Sequence, residues 1–159
     1  AGAELGHTVI EKGGRPCTCG RRGCWEAYSS ATALIKSTRE AMERNPDTIM
    51  WEMCDGNLAN VNGRTAFNAM RQGDMVAAEV IDMYIEYLAV GIINIINIFC
   101  PEVLSIGGGI SNEKDRLLDM LLPRIGMRIY SSNSPRRTLI KIAELGNEAG
   151  IIGAAALRA

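Results

Sequence analysis

The chain has 159 residues and a formal charge of −1, from 17 basic and 18 acidic residues. That length suits one compact domain with a sizeable core and is short for two comfortable lobes. The charge balance excludes a field that would gather nucleic acid or an anionic membrane, which leaves small neutral ligands as the default partners. No signal peptide is recognisable, and the most hydrophobic run, Tyr87 to Cys100, is too short to span a bilayer and contains Asn94 and Asn97. Of five cysteines, three fall between Cys17 and Cys24, a clustering that fits metal binding in a reducing compartment better than a spread disulfide framework. Cys54 and Cys100 lie in apolar surroundings and are expected to be buried. The chain lacks an initiator Met and opens inside what reads as a motif, so a fragment is expected.

The segment His7-Thr8-Val9-Ile10-Glu11 alternates and predicts a short strand, which Lys12-Gly13-Gly14-Arg15-Pro16 turns. The turn leads into Cys17-Thr18-Cys19-Gly20-Arg21-Arg22-Gly23-Cys24-Trp25-Glu26. His7 is the single histidine of the chain. With Cys17, Cys19 and Cys24 it supplies the four nitrogen and sulfur donors of a closed tetrahedral zinc, in a loop over 7–26. Gly20 and Gly23 allow the reversal that turns three sulfurs toward one point. Reduced, unligated thiols or a local redox pair are the alternative, and the glycine spacing favours metal. Glu4 and Glu26 flank the donors, so the same fold-back brings two carboxylates near the metal, although by residue type they also read as ordinary surface or helix-start charge. Arg21 and Arg22 read as solvated loop charges.

Tyr28, Ala31, Leu34, Ile35, Ala41 and Met42 keep helical spacing and predict one helix from about Trp25 to Arg44, ended by Asn45-Pro46. The stretch 45–63 has no clean period and is expected to be a mobile or inserted loop. Thr65 is placed to cap a short helix that stops at Gly73, and Asp74 to cap a long one running to about Phe99, before Pro101. The second half of that long helix is apolar nearly all round, which predicts a central position. Over 102–122 a strand, Glu102 to Ile106, feeds Gly107-Gly108-Gly109 and a helix from about Asn112. A strand, glycine turn and helix can contact a phosphate through bare backbone and helix N–H groups, and can equally be a plain tight connection. A last strand, Thr138 to Ala143, follows the basic turn Pro135-Arg136-Arg137, and Gly146-Asn147-Glu148-Ala149-Gly150 opens a final helix.

In combination, Glu4-x-Gly6-His7, the Cys17-x-Cys19-Gly20-x-x-Gly23-Cys24-x-Glu26 tract, the Gly107-Gly108-Gly109 turn after Pro101-Glu102, and Gly146-Asn147-x-Ala149-Gly150 closely resemble the ROK family of repressors and sugar kinases. Its bacterial glucokinases are the nearest match. The resemblance covers essentially the whole chain; the cysteine signature is highly specific, the glycine turn much less so. It implies an α/β, ribonuclease-H-like (actin/hexokinase-type) fold, of which residues 1–159 would be the C-terminal lobe with a structural zinc loop. It implies His7, Cys17, Cys19 and Cys24 as zinc ligands and Glu4, His7 and Glu26 as contacts to a hexose. Gly107, Gly108, Gly109, Asn147 and Gly150 would line the pocket for ATP, which the complete enzyme uses with Mg2+.

The family's Asp-x-Gly-x-Thr phosphate loop and catalytic aspartate belong to an N-terminal lobe that this chain does not contain, since Asp55-Gly56 has the wrong spacing. No catalytic residue is expected here, and the isolated chain should be silent. The resemblance further implies a cytoplasmic homo-oligomer, with no nucleic-acid or membrane partner for this part. Two alternatives remain: the sugar-sensing domain of a ROK transcriptional repressor, or a kinase for N-acetylmannosamine or another hexose. The intact glycine turns favour kinase over repressor.

Overall fold

The computed structural model describes residues 2–130, 133 and 137–157. Pro135 and Arg136 of the basic turn, and the side chain of Asn147, lie outside the described residues. The chain forms two compact units, Ala1–Asn94 and Ile95–Ala159.

The first unit opens with a 3-10 turn, Leu5–His7, where a strand was expected from His7 onward. Of the described residues in the expected strand, 7–11, only Val9 pairs in strand fashion, antiparallel to Cys24. Beyond it the N–H groups of Ile10 and Glu11 both donate to the Gly23 carbonyl, at 2.9 and 3.2 Å. Two residues facing one is the pattern of a bulge, and it ends the ladder that alternation alone would continue. Helices α1 (Glu26–Ser29) and α2 (Ala31–Arg44) replace the single helix expected over this span. Ser30 separates them: its backbone is extended and its hydroxyl accepts from Ala33 N–H at 3.1 Å, so it caps α2.

Within the stretch 45–63, expected to be irregular, two short helical segments stand among turns. Helix α3 (Met50–Met53) and a 3-10 turn at Leu58–Asn60 bury Met50, Cys54 and Val61. The indole of Trp51 donates to the carbonyls of Met42 and Asn45, at 3.2 and 3.3 Å. Elements of four and three residues are too short to show a period, which is why the stretch read as irregular. In α4 (Thr65–Arg71) Thr65 sits inside the first turn and is not its cap, its hydroxyl accepting from Asn62 N–H at 3.1 Å. Asp74 does cap α5 (Met75–Phe99), accepting from Ala77 N–H at 2.7 Å. Buried Ala77, Ile81, Tyr84, Ile85, Leu88 and Ile92 follow helical spacing and form the core-facing stripe of α5 in this unit.

In the second unit, β1 (Val103–Ile106) and β2 (Leu139–Ile142) pair in parallel, Val103 opposite Leu139 and Ile106 opposite Ile142. A parallel pair needs a crossover; here it contains a 3-10 turn, Gly109–Glu113, and then α6 (Asp115–Gly126), which begins three residues later than expected at Asn112. Leu117, Leu121 and Ile125 are the buried stripe of α6. Helix α7 (Ala149–Ala156) closes the described chain. Buried positions on the long helix extend as far as Ile96, and its last turn leaves Ile98 and Phe99 exposed. Cys54 is buried as expected, whereas Cys100 is exposed. Among the described residues no helix is long and apolar enough to cross a membrane.

Candidate metal centre

The cysteine tract folds as a hairpin held by backbone bonds. Cys17 N–H donates to the Arg21 carbonyl at 2.9 Å and Gly20 N–H to the Cys17 carbonyl at 3.0 Å, with Pro16 bridged to Arg22. Gly23 is the pivot that returns the chain toward His7. It has φ of +81°, and a Cβ there would stand 1.7 Å from the Glu11 carbonyl oxygen, so only glycine fits. Trp25 N–H donates to the Thr8 carbonyl at 2.9 Å and fixes the segment after Cys24 beside the Leu5–His7 turn.

This framework brings all four predicted donors together: one ligand atom from each of His7, Cys17, Cys19 and Cys24 lies within 4.8 Å of the others. Two of the approaches are Cys17 Sγ to His7 Nδ1 at 3.5 Å and Cys19 Sγ to Cys24 Sγ at 3.6 Å. A tetrahedral zinc with Zn–S of about 2.3 Å and Zn–N of about 2.0–2.1 Å has sulfur–sulfur edges of about 3.8 Å and sulfur–nitrogen edges of about 3.6 Å. Both of these edges lie within about 0.2 Å of those lengths. The donor set and its spacing therefore fit a closed four-coordinate metal, with Nδ1 on the cluster side and Nε2 left over on the imidazole.

Charge in the cluster is uneven. Hydrogen bonds from the Arg21 main chain and then its guanidinium hold the Cys19 thiol down to about 6, against the opposing effect of burial. Burial first, and then its bonds to the neighbouring sulfurs Cys19 and Cys17, push the Cys24 thiol up to about 11. Two sulfurs 3.6 Å apart cannot both ionise cheaply without a cation between them. Arg21, expected to be a solvated charge, is exposed and also braces the loop: its guanidinium donates to the His7 carbonyl while its own carbonyl accepts from Cys17. Its position between Gly20 and Gly23, inside the ligand loop, was the available signal.

Of the two expected carboxylates, Glu26 has its side chain beside the Leu5–His7 turn, and Glu4 precedes that turn in the chain. The Glu4 carbonyl accepts from His7 N–H at 3.0 Å, so Glu4 leads directly into the histidine turn. Glu26 lies against Gly6, where a Cβ would meet its Oε2 at 3.6 Å. Both are exposed, and Glu26 lies against the turn that Glu4 and His7 bound. Behind them, Trp25 lies on the bare backbone of Gly91, where a Cβ would stand 1.9 Å from the indole, and its N–H donates to the Tyr87 carbonyl at 2.8 Å. Arg15 ties the loop to α2 by donating to Ser37 Oγ at 3.0 Å and Glu40 Oε2 at 3.2 Å, its guanidinium above the Tyr28 ring. Sequence reasoning assigned neither Trp25 nor Arg15 a role.

The glycines expected on the nucleotide side belong to the second unit. Gly108 takes φ of +79° and its carbonyl accepts from Ser111 N–H at 3.0 Å, so β1 turns at once into the 3-10 segment. A cleft of about 560 Å3 opens there, lined by Ser111, Asn112, Lys114, Lys141, Glu144 and Gly146 among others. Gly107 packs beside Ala143, and Gly150 is exposed in the first turn of α7.

The model of the ROK family matches residues 1–159. This chain belongs to the ROK family. The glucokinase of Thermotoga maritima is 36% identical over 156 residues, 98% of this ROK chain and 49% of that protein. The crystal structure of a ROK family glucokinase from Streptomyces griseus, in complex with glucose and AMPPNP, superposes with a TM-score of 0.86 at 29% identity, over 99% of this chain and 51% of that one. The xylose repressor of Bacillus subtilis is 31% identical over 152 residues, 94% of this chain and 35% of the repressor. The ROK chain thus spans about half the length of the glucokinases it matches, and its α/β fold is similar to theirs.

Proposed function

We propose that this chain is the sugar-binding, zinc-containing C-terminal part of an ATP-dependent hexose kinase of the glucokinase type. The observation that carries the reading is the gathering of three thiols and one imidazole within 4.8 Å, with Glu26 against the Glu4–His7 turn. His7, Cys17, Cys19 and Cys24 would hold zinc as a structural ion, with all four positions filled by protein. The zinc fixes the ring of His7 and the course of the hairpin. Its ligand Nδ1 leaves Nε2 to meet a sugar hydroxyl in a set orientation. Glu4 and Glu26, as carboxylates, accept hydrogen bonds from neighbouring hydroxyls, and such charge-assisted bonds are stronger than neutral ones.

The base that takes the proton from the attacking hydroxyl, and the phosphate loop, are assigned to the other half of the protein. Alone, this chain would be inactive. On the nucleotide side, Gly107, Gly108 and Gly109, with Asn147 and Gly150, would let ATP approach the backbone closely and would supply no catalytic proton. Magnesium bound with the nucleotide would neutralise charge on the phosphates. The thiolate set is suited to a reducing cytoplasm, and a homo-oligomer is the expected assembly. Identity to a glucokinase over nearly the whole chain supports kinase, and the similarity to a xylose repressor supports a second reading, a sugar-sensing ROK repressor domain.

In the full protein, elemental analysis after dialysis should give about one zinc per chain, and Cys19→Ser should release it. Glu26→Gln should keep the zinc and weaken hexose binding at least tenfold, about 1.4 kcal/mol. Full sugar affinity in that variant would remove the carboxylate from the site. Hexose binding without ATP-dependent phosphorylation by the full protein would favour the repressor reading.

A further inference from the structure

We propose that Cys19 and Cys24 form an oxidation site that ejects the metal, so that peroxide switches off the sugar pocket. The proposal rests on the zinc reading above and adds a covalent modification to it. Cys19 is exposed in the turn of the hairpin, whereas Cys24 is fully buried, with the two sulfurs 3.6 Å apart. An oxidant from solvent therefore meets Cys19 first, and Cys24 is already within reach as the resolving thiol. Gly20 and Gly23, both at positive φ, lie between them in the chain. A disulfide has its sulfurs about 2.0 Å apart, so the pair must close by roughly 1.5 Å, a movement the metal opposes while it is bound.

The chemistry balances with a hydroperoxide as oxidant. The Cys19 thiolate attacks the peroxide oxygen, the O–O bond breaks, and the departing oxygen takes a proton from solvent as water or alcohol. The Cys24 thiolate then attacks the Cys19 sulfur of the sulfenic acid, the S–S bond forms, and hydroxide leaves and is protonated to water. Two thiolates lose two electrons, the O–O bond gains them, and two protons come from solvent. His7 and Cys17 remain as the only donors of the original four, too few to retain a closed tetrahedral ion. Without it the imidazole ring and the hairpin lose their common anchor beside Glu4 and Glu26. A dithiol reductant with added zinc would reverse the change.

The test uses the full protein carrying Cys100→Ser, which removes the exposed thiol outside the cluster. Hydrogen peroxide is titrated while released zinc is read with a chromophoric chelator, free thiols are counted, and peptides are mapped by mass spectrometry. The expected result is one zinc released for every two thiols lost, a Cys19–Cys24 linkage 2 Da lighter than the dithiol, and at least tenfold weaker hexose binding. Dithiothreitol plus zinc should restore it. A linkage through Cys17, or release accompanied only by sulfinic acid, would overturn the proposal and leave the zinc reading intact. So would zinc retained after the cluster thiols are consumed. A starting preparation with no bound zinc would instead overturn the metal reading and the ejection with it.

Discussion

Among the described residues the first unit leaves three large apolar side chains exposed, Val9, Met75 and Met83, whereas the second leaves eleven, among them Phe99, Val103, Leu139 and Ile151. The second unit also contains a buried hydroxyl, Thr138 Oγ1, with no partner among the described residues. No residue of α7 is buried. The contrast follows from the kind of element each unit uses. Helices α2, α4 and α5 can each bury one stripe within the first unit, and the hairpin is closed by its bulge and donor cluster. A two-stranded parallel sheet has two unpaired edges and two faces, and does not bury enough of either to stand alone. The first unit thus leaves few large apolar side chains exposed, while the second has apolar surface that needs cover.

The strongest way to break the first unit is at Gly23. Alanine there would place its Cβ against the Glu11 backbone and force a left-handed conformation, and backbone cannot move aside as a flexible side chain can. We expect Gly23→Ala to cost more than about 4 kcal/mol and to lose metal binding together with stability. Thermal melts with and without a chelator check this: the variant should melt low and show no chelator effect.

Next is Gly91, where two effects oppose. Alanine in a helix interior gains about 1 kcal/mol over glycine, but overpacking costs about 1–3 kcal/mol and the indole must also release the Tyr87 carbonyl. The clash is with the body of a ring on the far side of a close contact, so destabilisation wins, by about 1–2 kcal/mol net. Since Trp25 lies between Cys24 and Glu26, Gly91→Ala should weaken hexose binding while the zinc remains. Trp25→Phe in the same chain should recover part of the loss.

For the second unit the expected change is in association. Val103 and Leu139 are register partners and both are about half exposed. The isolated chain should associate in a concentration-dependent way by sedimentation. Val103→Lys with Leu139→Lys should suppress that association while changing stability by only about 0.5 kcal/mol for each exposed site. Unchanged association would move the sticky surface elsewhere, to α7 or the end of α5.

The donor cluster was legible because sulfur and imidazole ligands are rare residues at tell-tale spacing, and Gly20 and Gly23 announced the turn between them. The long helix and its Asp74 cap were legible for a similar reason: a long apolar stripe and a capping carboxylate are strong local signals. What sequence missed was either a weak local signal or a contact with partners distant in the chain. The break at Ser30 requires knowing that its hydroxyl turns to Ala33 N–H; α3 is too short for periodicity; and the bulge opposite Gly23 cannot be read from the alternation of Thr8, Val9 and Ile10. Trp25 and Arg15 gained their roles from Gly91, Ser37 and Glu40, far along the chain. Cys100 was misjudged because an apolar neighbourhood in sequence is not burial in space.

The cap carries an effect that depends on pH, and its sign can be worked out. Burial works against the Asp74 charge, but donors at Ala77, Thr48, Ile49 and Val76 outweigh it and hold the carboxyl below its ordinary value. A folded value below the unfolded one contributes stability that is present above the unfolded carboxylate range, about 3.9, and is lost as pH falls through the folded value. Asp74→Ala should therefore cost about 1 kcal/mol at neutral pH. The gap between variant and parent should narrow below about pH 4, as the parent's carboxylate protonates. Denaturant melts of both proteins at neutral and acid pH read this directly. Because Asp74 also accepts from Thr48 and Ile49, at 2.7 and 2.9 Å, its loss should loosen the 45–63 stretch as well as the start of α5. Hydrogen exchange would then speed at Ile49 and Met50 in step with Ala77. Faster exchange at Ala77 alone would mean that the segment is held by Trp51 and its own buried side chains, making the first unit's cohesion less dependent on that one carboxylate.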